Sequence, residues 1–207
     1  MNTFAVAINA AAAKATCSEQ YATSDCKLLW PRDKKKDLEM ALIEQAETES
    51  HFAKNVHEGN CEKWECDPRK LQGVVYFKSH SSWQIQAEPP VSRTLWLEIV
   101  GTDQHATTRA AWAATLVLAN GWKHTHSIHG TFGVYAGLGA GWPEGKVREK
   151  RWEELMRLTD EQATKLVRLR KTYVVCRTDP MSFECICLKD PDTAGCSEQA
   201  VELADAR

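Results

Sequence analysis

Hydrophobic residues recur at helical spacing along most of this chain, and only a few short pieces alternate in the manner of strands. The clearest helix is predicted at about residues 34–50, with Asp33 placed to cap its first turn. Its inward face combines aliphatic residues with an amide and a carboxyl group: Leu38, Leu42, Gln45, Ala46 and Glu49. Glu49 is therefore predicted to point toward the interior or a cleft wall, whereas the neighbouring glutamates are expected to face solvent: Glu39, Glu44 and Glu47.

Four more helices are predicted from the same periodicity. The apolar stretch from Phe4 to Ala13 is expected to be an alanine-rich helix. A long central helix is expected to start after Thr102 or Asp103 and to end at Gly121. The last two are predicted at residues 148–158 and from 159 to about 171, where Thr159 and Gln162 form a capping box.

The stretch from Asn55 to Pro90 is predicted to be loop-rich, with a short strand or extended loop at residues 73–77. The fold class is therefore mainly α, or α+β with a minor sheet. We expect a helical domain at residues 34–171, preceded by a cysteine-containing extension at 1–33 and followed by a cysteine-rich extension at 172–207.

Eight cysteines form two groups separated by a long cysteine-free middle. They do not form the paired C-x-x-C motifs of a zinc site, so disulfides within each group are the better prediction. Cys61 and Cys66 are close enough in sequence to close a small loop. Disulfides indicate an oxidising compartment, and we expect a periplasmic or extracellular protein, although the apolar start lacks the positive residues of a signal peptide.

Charge and hydropathy narrow the possible partners. The formal net charge of -2 argues against a dedicated nucleic-acid binder. The chain contains no apolar run of eighteen residues, so no membrane span is predicted. Three histidines have a spacing unlike that of helical metal ligands, and neither a metal nor a cofactor is predicted: His124, His126 and His129.

Three short segments carry the candidate chemistry. A carboxyl group at the position of Glu49 loses water, and burial favours its protonated form, which a general acid needs. Residues 81–86, Ser-Ser-Trp-Gln-Ile-Gln, present an aromatic face and two amides, the groups that bind sugar rings and their hydroxyls. Tyr135 precedes a run of small residues that include Gly137, Gly139 and Gly141, which would suit the floor of a cleft.

Taken in order, these segments resemble the catalytic domain of the lysozyme-like superfamily, particularly the soluble lytic transglycosylase and goose-type lysozyme group. Residues 49–52, Glu-Ser-His-Phe, match the Glu-Ser-x-Phe motif of that group at a helix end. Residues 81–85 are similar to its Gly-Leu-Trp/Met-Gln-Ile/Val motif but lack the usual glycine. Residues 133–139 are similar to Ala-Ala-Tyr-Asn-Ala-Gly-x-Gly, with the asparagine and one alanine missing. The resemblance covers residues 34–158.

The resemblance implies a peptidoglycan-cleaving enzyme that acts on the bond between N-acetylmuramic acid and N-acetylglucosamine. Glu49 would be the general acid and base, and Tyr135 would hold Glu49 or the departing oxygen. The remaining residues assigned to substrate binding are Ser50, Trp83, Gln84 and Gln86, and Trp142 is a further candidate for the cleft.

Three alternatives stay open at this point. A lysozyme-type hydrolase would need a second carboxylate to position water, and the candidates are Asp67, Glu88, Glu98 and Asp103. A non-catalytic glycan or protein binder on the same scaffold would explain the departures from the motifs. An interaction protein with an unrelated helical fold would place Glu49, Gln84 and Tyr135 far apart.

Overall fold

The computed structural model describes residues 2–61, 65–137, 139 and 141–168. The described helices are α1 (Thr3–Ala15), α2 (Lys35–Ser50), α3 (Lys54–His57), α4 (Arg93–Leu97), α5 (Gln104–Thr125), α6 (Ile128–Tyr135), α7 (Pro143–Met156) and α8 (Asp160–Leu166). Short 3₁₀ turns occupy Glu19–Tyr21 and Arg32–Lys34. Two antiparallel pairs supply the β structure: β1 (Pro68–Leu71) with β2 (Val74–Phe77), and β3 (Ser79–His80) with β4 (Ile85–Gln86). The prediction of a mainly helical protein with a minor sheet is confirmed.

The main core forms where α1 and α2 pack against the long helix α5. Alanines line both α1 and α5, and such small side chains let two helix backbones approach closely. Larger side chains fill the space beside them, among them Phe4 from α1 and Leu118 from α5. The alanine-rich helix predicted near the N-terminus is thus confirmed, and it belongs to the same core as the rest of the helical body.

Two predicted helix signals are wrong in position. Asp33 lies in a 3₁₀ turn, and α2 begins after Lys34 without a side-chain cap. Gly121 does not end α5, because it is buried within the helix at the contact with α6, where a Cβ atom would meet the backbone oxygen of Thr131 at 3.1 Å. The helix continues to Thr125, and His126 ends it in the left-handed conformation.

Other predicted signals are confirmed. Asp103 caps α5 through a hydrogen bond from the Ala106 N–H to its Oδ1 at 3.0 Å. The capping box of Thr159 and Gln162 starts α8, which ends at Leu166, earlier than predicted. Two disulfides, Cys17–Cys26 and Cys61–Cys66, both join cysteines of the first group. The second group, Cys176, Cys185, Cys187 and Cys196, and with it the predicted extension at 172–207, lies outside the described residues.

Within the described part of the chain, no helix has both the length and the apolar character needed to cross a lipid bilayer.

Candidate functional site

Glu49 lies in the last turn of α2, one residue before that helix ends. The preceding positions of its face, Leu38, Leu42 and Gln45, are fully buried, which fixes the direction of the stripe toward the core. His51 and Phe52 then adopt positive φ angles of 51° and 55°, so the chain turns sharply, and the buried Phe52 ring secures the turn. The Glu49 side chain is 22% exposed, at the boundary between core and surface.

Two donors hold the Glu49 carboxyl group, and both use the same oxygen. Gln45 Nε2 donates to Oε1 at 2.7 Å, and the guanidinium of Arg148 from α7 donates to Oε1 at 2.9 Å. Among the described residues, no hydrogen bond reaches Oε2. Glu49 therefore retains one oxygen without a partner for a further hydrogen bond or a proton.

Arg148 is the residue of this site that the sequence did not indicate. Its side chain is only 7% exposed, and its Nε lies 3.5 Å from Glu144. Burial alone would lower the pKa of Arg148, but the nearby carboxylates of Glu49, Glu44 and Glu144 raise it overall. No short motif links positions 49 and 148, because the contact depends on the packing of α7 against α2.

Glu44 was predicted to face solvent, and that prediction is wrong. The residue is 1% exposed, because helix α2 is enclosed on this side as well as on its leucine face. Burial raises the pKa of Glu44 to about 7, although the Thr48 hydroxyl donates to its Oε1 at 2.6 Å and Arg148 opposes the shift. Its Oε2 is buried and has no hydrogen-bond partner. The carboxyl group whose pKa burial raises thus lies five residues before Glu49 on α2.

Tyr135, at the end of α6, connects the segment at residues 133–139 to the segment at residues 81–86. Its hydroxyl donates to the backbone oxygen of Trp83 at 2.7 Å. Burial raises the pKa of Tyr135 well above its usual value, and the negative charge of Glu49 raises it further. The phenol is therefore a neutral donor that lies within electrostatic range of Glu49 and ties residues 81–86 to this region.

Trp83 was predicted to offer its ring to a sugar, and the structure contradicts this. The side chain is completely buried, and its Nε1 donates to the backbone oxygen of Leu42 at 2.8 Å. The ring packs against Phe4 in the main core. Trp83 therefore positions the loop from inside, and its ring faces the core.

The two predicted amides are half-buried on the loop that Trp83 anchors. Gln84 has a positive φ of 51°, and its Nε2 donates to the backbone oxygen of Ser81 at 3.1 Å. Gln86 Nε2 lies 3.3 Å from Ser79 Oγ. Ser50 is buried, and its hydroxyl donates to the backbone oxygen of Ala46 at 3.2 Å.

A buried histidine that the sequence did not single out also positions this loop. His57 is fully buried, and its Nδ1 accepts a hydrogen bond from the Ser82 N–H at 3.3 Å. Its Nε2 lies 3.1 Å from the hydroxyl of Thr107, to which it donates because Nδ1 is the acceptor. Burial lowers the pKa of His57 to about 4, so the ring is neutral at pH 7. Position 57 lies in a segment predicted as loop, and only the structure reveals its partners.

The remaining residues predicted for the cleft or as a second carboxylate have contacts that do not include Glu49. Trp142 is 50% exposed, and Gly137, Gly139 and Gly141 are exposed with open space around them, so these glycines do not form a closed cleft floor. The four candidate second carboxylates have other partners: Asp67 pairs with Arg69, Glu88 with Lys78, Glu98 with Arg109, and Asp103 caps α5. Among the described residues, no group of three His, Cys, Asp or Glu side chains is arranged to hold a metal ion.

Comparison with known proteins gives no assignment. No protein-family model, no curated protein and no solved structure matches this chain. The indications of function are therefore the geometry of the site and the motifs at residues 49–52, 81–85 and 133–139.

Proposed function

We propose that this protein is a peptidoglycan-cleaving enzyme of the lytic transglycosylase type, with Glu49 as its single acid and base. One observation carries the proposal: Tyr135 donates to the backbone oxygen of Trp83 while it lies in the electrostatic field of Glu49. A hydrogen bond thus joins the segments at 81–85 and 133–139, and an electrostatic interaction relates Glu49 to them, which supports the proposal.

In the proposed reaction, Glu49 gives a proton to the glycosidic oxygen between N-acetylmuramic acid and N-acetylglucosamine. The bond from that oxygen to the anomeric carbon breaks, and an oxocarbenium-like centre develops. The 6-hydroxyl of the muramoyl ring attacks the same carbon, and its proton returns to Glu49. The products are a chain with a free 4-hydroxyl and a chain with a 1,6-anhydro end, and no water is consumed.

The hydrogen bonds of Glu49 suit this role in one respect. Because Gln45 and Arg148 both donate to Oε1, a proton on Glu49 belongs on Oε2. Tyr135 would hold the loop that carries Gln84 beside this oxygen, and Gln84 would bind the sugar next to the cleaved bond.

A hydrolase has less support from the described residues. The contacts of the four predicted second carboxylates do not include Glu49, and Glu44, which interacts electrostatically with Glu49, is too buried to activate a water molecule beside a sugar. A mechanism with one carboxyl group therefore fits the site better than the two-carboxylate mechanism of a muramidase.

A second candidate function, a non-catalytic glycan or protein binder, is favoured by Arg148. A carboxyl group paired with a buried arginine is suited to a permanent structural ion pair between α2 and α7. In such a binder, the pair would hold the helices in place, and the half-buried amides of residues 84 and 86 would contact the ligand.

Clearing of a peptidoglycan suspension separates these two functions. The wild-type protein should clear the suspension, and Glu49→Gln, which keeps the shape of the side chain, should lower the rate by at least about a hundredfold. Glu47→Gln is the matched control, because Glu47 lies on the same helix and is 37% exposed. If the wild-type protein binds peptidoglycan without clearing it, and Glu49→Gln binds equally well, the protein is a binder.

A further inference from the structure

The hairpin formed by β1 and β2 exposes apolar side chains on both of its faces. The exposed side chains near its tip are Leu71 (64%), Val74 (68%), Val75 (57%) and Tyr76 (46%). Val74 and Val75 are neighbours on one strand, so their side chains leave the sheet in opposite directions. Gln72 and Gly73 form the two-residue turn, with φ angles of 50° and 85°.

The hairpin carries only positive formal charge. Residues 68–78 contain Arg69, Lys70 and Lys78 and no acidic residue, although the whole chain has a net charge of -2. Arg69 pairs with Asp67 at 3.0 Å and Lys78 with Glu88 at 2.6 Å, but these pairs are partly exposed to solvent and such pairs contribute little. Both cations can therefore exchange their partners for other anions.

Cys66 and Phe77 at the base of the hairpin pack against the buried side chains of Ala53 and Val56. The disulfide Cys61–Cys66 closes a loop next to this base, and the backbone N–H of Ser79 donates to the oxygen of Cys66 at 3.0 Å. The N–H of Lys78 donates to the oxygen of Asp67 at 3.2 Å. The hairpin therefore presents its apolar tip from a fixed base.

We propose that this hairpin docks on an anionic lipid bilayer, with its tip inserted at the interface. A flat protein surface would cover one face of the hairpin and leave the other exposed, whereas a bilayer interface surrounds an inserted tip. The aliphatic residues would enter the acyl boundary, Tyr76 would lie at the level of the headgroups, and Arg69, Lys70 and Lys78 would contact lipid phosphates. This contact is peripheral and does not depend on the proposed enzymatic function.

Co-sedimentation of the full-length protein with vesicles tests the proposal. The protein should bind vesicles of phosphatidylcholine and phosphatidylglycerol in equal parts, bind phosphatidylcholine alone more weakly, and lose affinity as salt is added. Val74→Asp with Val75→Asp should weaken binding at least about tenfold, because two inserted apolar side chains are replaced by charges.

A matched control carries the same two added charges elsewhere. Leu28 (53% exposed) and Val147 (49% exposed) lie outside the hairpin, and Leu28→Asp with Val147→Asp should bind as tightly as wild type. Circular dichroism checks the fold of each variant, and Val74→Thr with Val75→Thr gives a milder replacement that should still weaken binding.

Three results would overturn the proposal. The first is a wild-type protein that does not bind the anionic vesicles, and the second is a hairpin variant that binds them as tightly as the control variant. The third is a wild-type dimer that becomes a monomer in the hairpin variant without any vesicle binding, which would identify the hairpin as the interface between two copies of the chain.

Discussion

Glu49 and Arg148 form the residue pair on which the site depends. The arginine is almost fully buried and the carboxylate is partly exposed, so the pair combines a desolvated cation with an anion that solvent or a ligand can still reach. Removing one partner of such a pair leaves the other with an uncompensated charge.

A double-mutant cycle measures this dependence. Arg148→Met should destabilise the protein by about 3 kcal/mol in urea unfolding, because buried carboxylates lose their cation. In the Glu49→Gln background, Arg148→Met should lower the free energy of unfolding by a smaller amount. The expected coupling energy is roughly 1–2 kcal/mol, because the partial exposure of Glu49 makes the pair weaker than a fully buried one. Strictly additive effects would mean that the two side chains do not interact in solution.

Helical periodicity predicted the burial of individual residues on α2 only in part. The stripe from Leu38 to Ala46 was identified from spacing alone and is buried as predicted. Glu44 was misplaced, because spacing identifies the face with most apolar residues but cannot tell that a second helix covers the opposite side. The partners of Arg148 and His57 depend on tertiary contacts over 99 and 50 residues, respectively, and no local pattern encodes them.

Helix α7 is the element that brings Arg148 to Glu49, and its position depends on a close contact with α6. A Cβ atom at Gly145 would overlap the backbone oxygen of His129 and lie 3.3 Å from the nitrogen of Gly133. Glycine at position 145 therefore allows a separation of α6 and α7 that a larger residue prevents. The sequence indicated a helix at residues 148–158, within the region of α7, but neither α6 nor this contact.

Substitution of this glycine tests the role of the element. Gly145→Ala should lower the free energy of unfolding by about 2 kcal/mol or more, because the clash is with backbone and cannot be relieved by a rotamer change. Gly141→Ala is the matched control: nothing lies within 4 Å of its added Cβ, and its effect should stay within about 0.5 kcal/mol. Equal effects in chemical denaturation would refute the close α6–α7 contact.

At the scale of the whole molecule, two buried groups couple stability to pH in opposite directions. Glu44 has its pKa raised to about 7, so the stability it contributes is present below its unfolded value and is lost as pH rises toward 7. His57 has its pKa lowered to about 4, so its contribution is present above its unfolded value near 6.5 and is lost as pH falls toward 4. Between roughly pH 4.5 and 6.5 the two effects oppose each other.

Glu44→Gln should remove the contribution of Glu44 to the pH dependence of stability. Each shift corresponds to a stability change on the order of 3 kcal/mol. The variant should therefore be more stable than wild type above pH 7, and its stability should rise more steeply between pH 4.5 and 6.5. Urea unfolding across this pH range measures both effects, with Glu47→Gln as the control. The same pH dependence in wild type and variant would show that Glu44 does not titrate as proposed.

The sequence predicted the secondary-structure content and the first group of disulfides better than it predicted individual contacts. Mainly helical content and disulfides within the first cysteine group followed from periodicity and cysteine arrangement. Two disulfides in the described residues are typical of proteins from oxidising compartments. The arrangement of α1 within the main core did not follow, because the chain's first helix was separated in the prediction from the domain that it helps to build.

The products of peptidoglycan digestion test the central claim most directly. Mass spectrometry distinguishes a 1,6-anhydro end from a reducing end, because the two differ by one water molecule. The proposal predicts 1,6-anhydromuramoyl ends from the wild-type protein and from Glu47→Gln, and no such products from folded Glu49→Gln. Reducing ends would instead identify a hydrolase, and the same anhydro products from Glu49→Gln would contradict the assignment of Glu49 as the acid and base.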